Sequence, residues 1–140
     1  MPNVNLRFPL EKGREGYFAW NTDLKSAIQM SLKLLLFTPK GTRIMFPNYG
    51  TDVIKYLFEP LNATLKMKMQ MEVATAIRKW IKNIQLSSVN VYFKEDLATS
   101  PFSSVIIDDH SVFVVINYTI VSNTQAITIP NQSMGMVVQN

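Results

Sequence analysis

The chain has 140 residues, 47% of them hydrophobic and 17% charged, with a mean hydropathy of +0.06; that is the composition of one globular domain burying roughly 70% of its unfolded surface, not of a disordered tail or a coiled coil. There is no cysteine and one histidine, His110, which excludes disulfide staples, thiolate metal sites and a cysteine nucleophile and removes most zinc and Ser–His chemistry. The net charge of +4 and pI near 9.4 favour acidic partners, but so mild an excess does not by itself indicate nucleic acid.

No run approaches the ~20 apolar residues of a membrane helix, and no apolar segment follows Met1 as a secretory signal requires, so a soluble protein made in the cytoplasm is expected. Residues 1–20 have no stable period and mix charge with aromatics (Phe8, Tyr17, Phe18, Trp20). They read as an extended N-terminal arm, either a strap over its own core or a grip on a neighbour. A helix follows, capped by Asn21 or Thr22 with Asp23 favouring its N-terminal dipole. Its apolar stripe is Leu24, Ala27, Ile28, Ser31, Leu32, Leu34 and Leu35. Thr38-Pro39-Lys40-Gly41 and Pro47-Asn48-Tyr49-Gly50 are turns, and Thr42 to Phe46 between them reads as a short strand or small hairpin.

Thr51 is placed to cap a short helix, Asp52 to Phe58, with Val53, Ile54, Leu57 and Phe58 as its apolar side and Glu59-Pro60 as its stop. Asn62 caps the longest helix, to about Lys82, whose buried stripe is Leu65, Met69, Val73, Ala76, Ile77 and Trp80. Met67 and Met71 are left as spare apolar surface. The period then changes from 3.6 to 2. In Leu86 to Phe93, Val89, Val91 and Phe93 oppose Asn90 and Tyr92. Val105 to Ile107, a turn at Asp108 to Ser111, and Val112 to Val121 read as a hairpin. Both faces of Val112 to Ile116 are apolar, which marks a central or doubly covered strand. Ala126 to Ile129 adds a short strand closed by Pro130, and 131–140 reads as a flexible C-terminal tail. Helices first and strands after make an α+β domain over 21–130, with helices packed on a small mixed or antiparallel sheet.

The ordered set Leu35-Leu36-Phe37-Thr38-Pro39-Lys40-Gly41-Thr42-Arg43, Phe46-Pro47-Asn48-Tyr49-Gly50 and Leu57-Phe58-Glu59-Pro60 resembles the baseplate wedge subunits of contractile-tailed phages, historically called lysozyme-like, with counterparts in type VI secretion baseplates. The resemblance covers about Leu24 to Phe93. It implies a fold like the inner domain of a tail-sheath subunit and a structural, non-enzymatic role in the virion. There the protein would dock on the wedge core and receive strands from the first sheath disc by β-augmentation. Its partners would be other wedge proteins and the sheath subunit, with no small-molecule substrate, cofactor or membrane. Family members usually carry Glu-Pro-Arg just past the long helix, where this chain has Ile81-Lys82-Asn83; the carboxylate and the proline kink are absent.

Candidate interface residues are Arg43, Tyr49, Glu59 and Lys82 on turns and helix ends, and Val112, Val114 and Ile116 on the late strand. Either Leu86 to Phe93 or Val112 to Val121 is expected to present the open edge. Arg43 has as alternatives a solvated charge or a pair with Glu59 or Asp52. Lys66, Lys68, Arg78, Lys79 and Lys82 form either a docking face for an acidic neighbour or a solvated helix face. Asp108-Asp109-His110 has metal-ligand residue types, but consecutive residues at a hairpin tip are turn chemistry. A glycosidase would need two carboxylates across a cleft, and Asp52 and Glu59 lie about 10 Å apart by helical rise. A nucleic-acid module would interleave aromatics with its cations, which this chain does not do.

Overall fold

The change of period near Asn83 divides the fold as it divides the sequence. The computed structural model describes residues 5–7, 10–14, 16–60, 62–97, 101, 111–121 and 128–138. Its elements are β1 (Asn5–Leu6), β2 (Trp20–Asn21), α1 (Leu24–Phe37), α2 (Val53–Tyr56), α3 (Ala63–Trp80), β3 (Ile84–Tyr92), α4 (Lys94–Leu97), β4 (Val112–Val121) and β5 (Thr128–Val138). The α+β class is as expected.

The arm folds back on its own chain. β1 pairs antiparallel with β2, Arg7 N–H donates to Ala19 C=O at 2.9 Å, and Asn5 Nδ2 donates to Ala27 C=O in α1 at 3.1 Å. Asn21 is therefore not the helix cap: it is buried, and its Nδ2 donates to Asn5 Oδ1 at 2.8 Å. Asp23 takes the cap instead, accepting from Ser26 N–H at 3.4 Å. α1 buries Ala27, Ile28, Leu32, Leu35 and Leu36. Leu34, expected on the stripe, points outward and Leu36 replaces it.

Two turns form, each one residue from its expected position, at 39–42 and 46–49, but the strand between them does not. Thr42 N–H donates to Pro39 C=O at 3.4 Å and Tyr49 N–H to Phe46 C=O at 3.0 Å, with one cross-loop bond from Gly41 N–H to Pro47 C=O at 2.8 Å. Ile44, Met45 and Phe46 are exposed, so this segment has no sheet to join. Thr51 does not cap α2; its hydroxyl is buried and donates to Leu36 C=O at 2.9 Å, leaving Asp52 at the N-cap position. α2 ends at Tyr56, so Asp52 and Glu59 do not share one helix, and Phe58 is 71% exposed rather than part of the apolar side. α3 is capped as expected, with Asn62 Oδ1 accepting from Leu65 N–H at 2.8 Å, and buries Leu65, Met69, Val73, Ala76 and Ile77.

The sheet is antiparallel with order β3-β4-β5. Val112, Val114, Ile116, Tyr118 and Ile120 of β4 join Val91 and the buried stripes of α1 and α3 in the main core. Phe113 and Val115, on the opposite face, form a smaller buried cluster with Tyr92 and Val137 packed against it. The double-sided burial expected of β4 is thus that of a central strand.

One expectation is corrected here. Residues 131–138 are not a tail: β5 runs to Val138 and pairs from Val138 opposite Val112 to Thr128 opposite Val121. An apolar central strand leaves a second row of backbone donors and acceptors to be satisfied, and this segment satisfies them. Pro130 is accommodated at the break in register between Tyr118–Gln132 and Ile120–Ile129, on an outer strand, and both features tolerate a residue lacking an N–H. The expected strand Val105 to Ile107 and the turn at Asp108 to His110 lie outside the described residues.

Candidate docking site

Gly50 fixes the path of the 39–50 turn. Its φ is +112°, and a Cβ there would meet Thr38 C=O at 2.0 Å; only glycine combines that dihedral with that approach. The close passage lets Thr51 N–H donate to Thr38 C=O at 2.9 Å and brings the turn against α3.

The contact is a carboxylate hub. Glu72 Oε1 accepts from Lys40 Nζ at 2.7 Å and from Asp52 N–H at 2.8 Å, and Oε2 accepts from Tyr56 Oη at 2.7 Å. Burial pushes the Glu72 carboxyl up, but these three donors outweigh it and hold the group below the usual carboxylate range. The same hydrogen bonds push Tyr56 up to about 12 and raise Lys40 above its ordinary value. Asp52 is held in turn by Lys55 at 2.8 Å and, more loosely, by Lys40 at 3.8 Å.

Beside the hub stands an aromatic cluster. Tyr49 and Phe46 meet the Trp80 ring edge-on, with centroids 5.2 and 6.3 Å away. Arg43 lies 4.0 Å over the Tyr49 ring and Lys79 5.2 Å over Trp80. Between turn and helix lies a groove of about 580 Å³ lined by Lys40, Tyr56, Lys68, Met71, Lys79 and Trp80 among others.

The structure brings Arg43 and Tyr49 together and separates them from the rest of the expected set. Neither alternative pairing of Arg43 forms; its partner is the Tyr49 ring. Glu59 closes α2 through its backbone, N–H to Tyr56 C=O at 3.1 Å. Lys82 is exposed beside a separate depression lined by Asn5, Leu24, Ala27, Trp80, Ile81 and Asn83. Val112, Val114 and Ile116 are fully buried in the core, and β4 is flanked on both sides, so neither they nor Val112 to Val121 can form an open edge. The outer strands among the described residues are β3 and β5.

Lys40, Tyr56 and Glu72 escaped the sequence reading. The available signal was that Glu72 is the single acid in α3 and lies next to Val73 on the buried stripe, a poor place for a carboxylate unless donors await it. Among the described residues, the two carboxyl groups with displaced pKa, Glu72 and Asp96, are both held low, opposite to what a general acid requires. Among the described residues no cluster of three metal-ligating side chains occurs, and no helix is long and apolar enough to cross a membrane.

Residues 22–125 match the family model for baseplate wedge protein gp25. The chain is 25% identical over 128 residues to baseplate wedge protein gp25 of Enterobacteria phage T4, covering 88% of this chain and 87% of that one. It is 32% identical over 68 residues to baseplate protein W of Escherichia phage P2, covering 49% and 58%. Among solved structures, the fold is similar to a tail-lysozyme candidate of Geobacter sulfurreducens (TM-score 0.60, 21% identity, 86% of this chain and 96% of that). It is also similar to a chain of the post-contraction pyocin R2 baseplate (0.56, 24%, 81% and 99%). With three-quarters of its length inside the match, the chain belongs to the gp25 family of baseplate wedge proteins, structural components of the contractile tail.

Proposed function

We propose that this wedge protein docks on the core of its wedge and seeds the first sheath disc by accepting sheath strands on an outer strand of its sheet. The observation that carries this reading is the β3-β4-β5 order, which leaves both outer strands without a further described neighbour. β5 pairs without a break from Gln132 to Val138, and that run contains no charge and no proline, the features that usually blunt an edge. β3 is the less regular edge, because Ser87 is an extra residue between Leu86 and Ser88. An added strand gains affinity from backbone hydrogen bonds and register from alternate side chains. A likeness to the inner domain of the sheath subunit belongs to the same reading. Docking on the wedge core falls to Lys82 and its neighbours Ile81 and Asn83, with Arg43, Tyr49 and Glu59 as further contacts.

The test is binding of the purified chain to its own sheath subunit and wedge proteins, with proline placed in turn at adjacent residues: Ser133 and Met134 on β5, Val89 and Asn90 on β3. Successive N–H groups alternate between neighbour and open edge. One variant of each pair therefore loses a ladder bond and stability, whereas the other loses only an outward donor and stays folded. On the receiving strand, the folded variant loses sheath binding. Retention by both folded variants contradicts the reading.

A further inference from the structure

We propose that the groove between the 39–50 turn and α3 seats an acidic segment of a neighbouring baseplate protein, carrying at least one bulky apolar side chain. This is a contact distinct from both the sheet edge and the Lys82 depression. The groove and the depression share Trp80 and otherwise have separate linings: Lys79 belongs to the groove, and Ile81 and Lys82 to the depression.

Its charge is the first argument. Lys68 and Lys79 line the groove and form no ion pair among the described residues, and Arg43 stands close by on Tyr49. Glu72, the one carboxylate among the lining residues, already accepts from Lys40, Tyr56 and the Asp52 N–H, and Asp52 beside it is paired with Lys55 and Lys40, so the acids nearby are engaged elsewhere. The second argument is apolar surface. Met71 is 69% exposed and lines the groove about two and a half turns of α3 before Trp80, and an exposed thioether is an adaptable seat for an apolar side chain. The third is rigidity. Gly50, the Glu72 hub and the edge-on Tyr49–Trp80 contact hold both walls in place before anything binds, which lowers the ordering cost of association. Cations bordering an apolar floor match a segment whose carboxylates flank a Leu, Phe or Met. Free acidic residues in the partner supply steering as well as affinity.

The experiment places the photo-crosslinking residue p-benzoylphenylalanine at Thr75, an exposed groove residue, and irradiates assembled tails. The expected product is a crosslink to a segment of a neighbour with net negative charge. Combining the crosslinker with Lys68→Glu and Lys79→Glu lowers its yield at least tenfold while the melting curve stays unchanged, and lysines at the crosslinked segment's acidic positions restore it. A crosslink to a neutral or basic segment, to nucleic acid or only within the chain overturns the proposal. So does none at all in tails that contain the chain, or an undiminished yield in the charge-reversed variant; each of these leaves wedge membership intact. Absence of the chain from tails contradicts wedge membership itself and this contact with it.

Discussion

Lys40 places its ammonium 2.7 Å from Oε1 of Glu72 although 32 positions of chain separate them. With the Tyr56 and Asp52 bonds to the same carboxylate, this contact fastens the turn after α1 and the start of α2 to the middle of α3. Removing the carboxylate strands three donors at once. Glu72→Ala should cost ~2–3 kcal/mol, and Glu72→Gln, which keeps an acceptor, about half that. Lys40→Ala should cost under ~1 kcal/mol, because its side chain is 41% exposed and solvent screens the pair. Urea denaturation of the three variants checks the order.

The hub also sets a pH dependence. The Glu72 pKa is lower folded than unfolded, so the unfolded chain binds more protons between the two values. The stability it contributes is complete above the unfolded pKa and is lost as pH falls through the folded one. Tyr56 works in the other direction: its phenol is pushed from 10.0 up to about 12, and its contribution, complete below the unfolded value, is lost as pH rises towards 12. Glu72→Gln should flatten both limbs of a stability–pH profile measured by thermal melting.

Two glycines of the same loop separate two costs. Gly41, at φ +86°, has open space where a Cβ would stand, whereas Gly50, at φ +112°, has Thr38 C=O in the way. Gly41→Ala should cost only the left-handed dihedral, ~1–2 kcal/mol. Gly50→Ala adds a backbone clash and should exceed that clearly, lowering the melting temperature more than Gly41→Ala does.

Tyr49 joins Arg43 to Trp80. Tyr49→Ala removes an edge-on aromatic pair and a cation–π contact, each worth ~0.5–1.5 kcal/mol. Limited trypsin digestion should then cut after Arg43 faster than in the parent chain, while Tyr49→Phe, which keeps the ring, should resemble the parent.

The elements readable in the sequence were those whose pattern is local. α3 with its Asn62 cap and the two-faced apolar β4 were legible because a 3.6 period, an Asx cap and a double alternation need no knowledge of distant chain. What was missed depends on distant partners. Asn21 has the side chain of a cap, but its pairing with Asn5 is a tertiary fact, and Thr51 likewise gives its hydroxyl to Leu36 C=O. β5 was hidden by Pro130 and by the polar Asn131 to Ser133; the demand for it comes from β4. Val112, Val114 and Ile116 read as interface because a bare apolar strand needs a cover, and that cover is the chain's own helices. The ordered turn motifs led to the wedge family but not to the hub, since Glu72 stands outside them and finds Lys40 only when the turn closes on α3.

Amide hydrogen exchange, comparing the free chain with the chain in assembled tails, tests strand addition most directly. Outward-facing amides of one outer strand, Ile84–Tyr92 or Thr128–Val138, should gain strong protection at alternate residues on assembly, with β4 protected in both states. Unchanged exchange along both strands in tails that contain sheath would contradict the account.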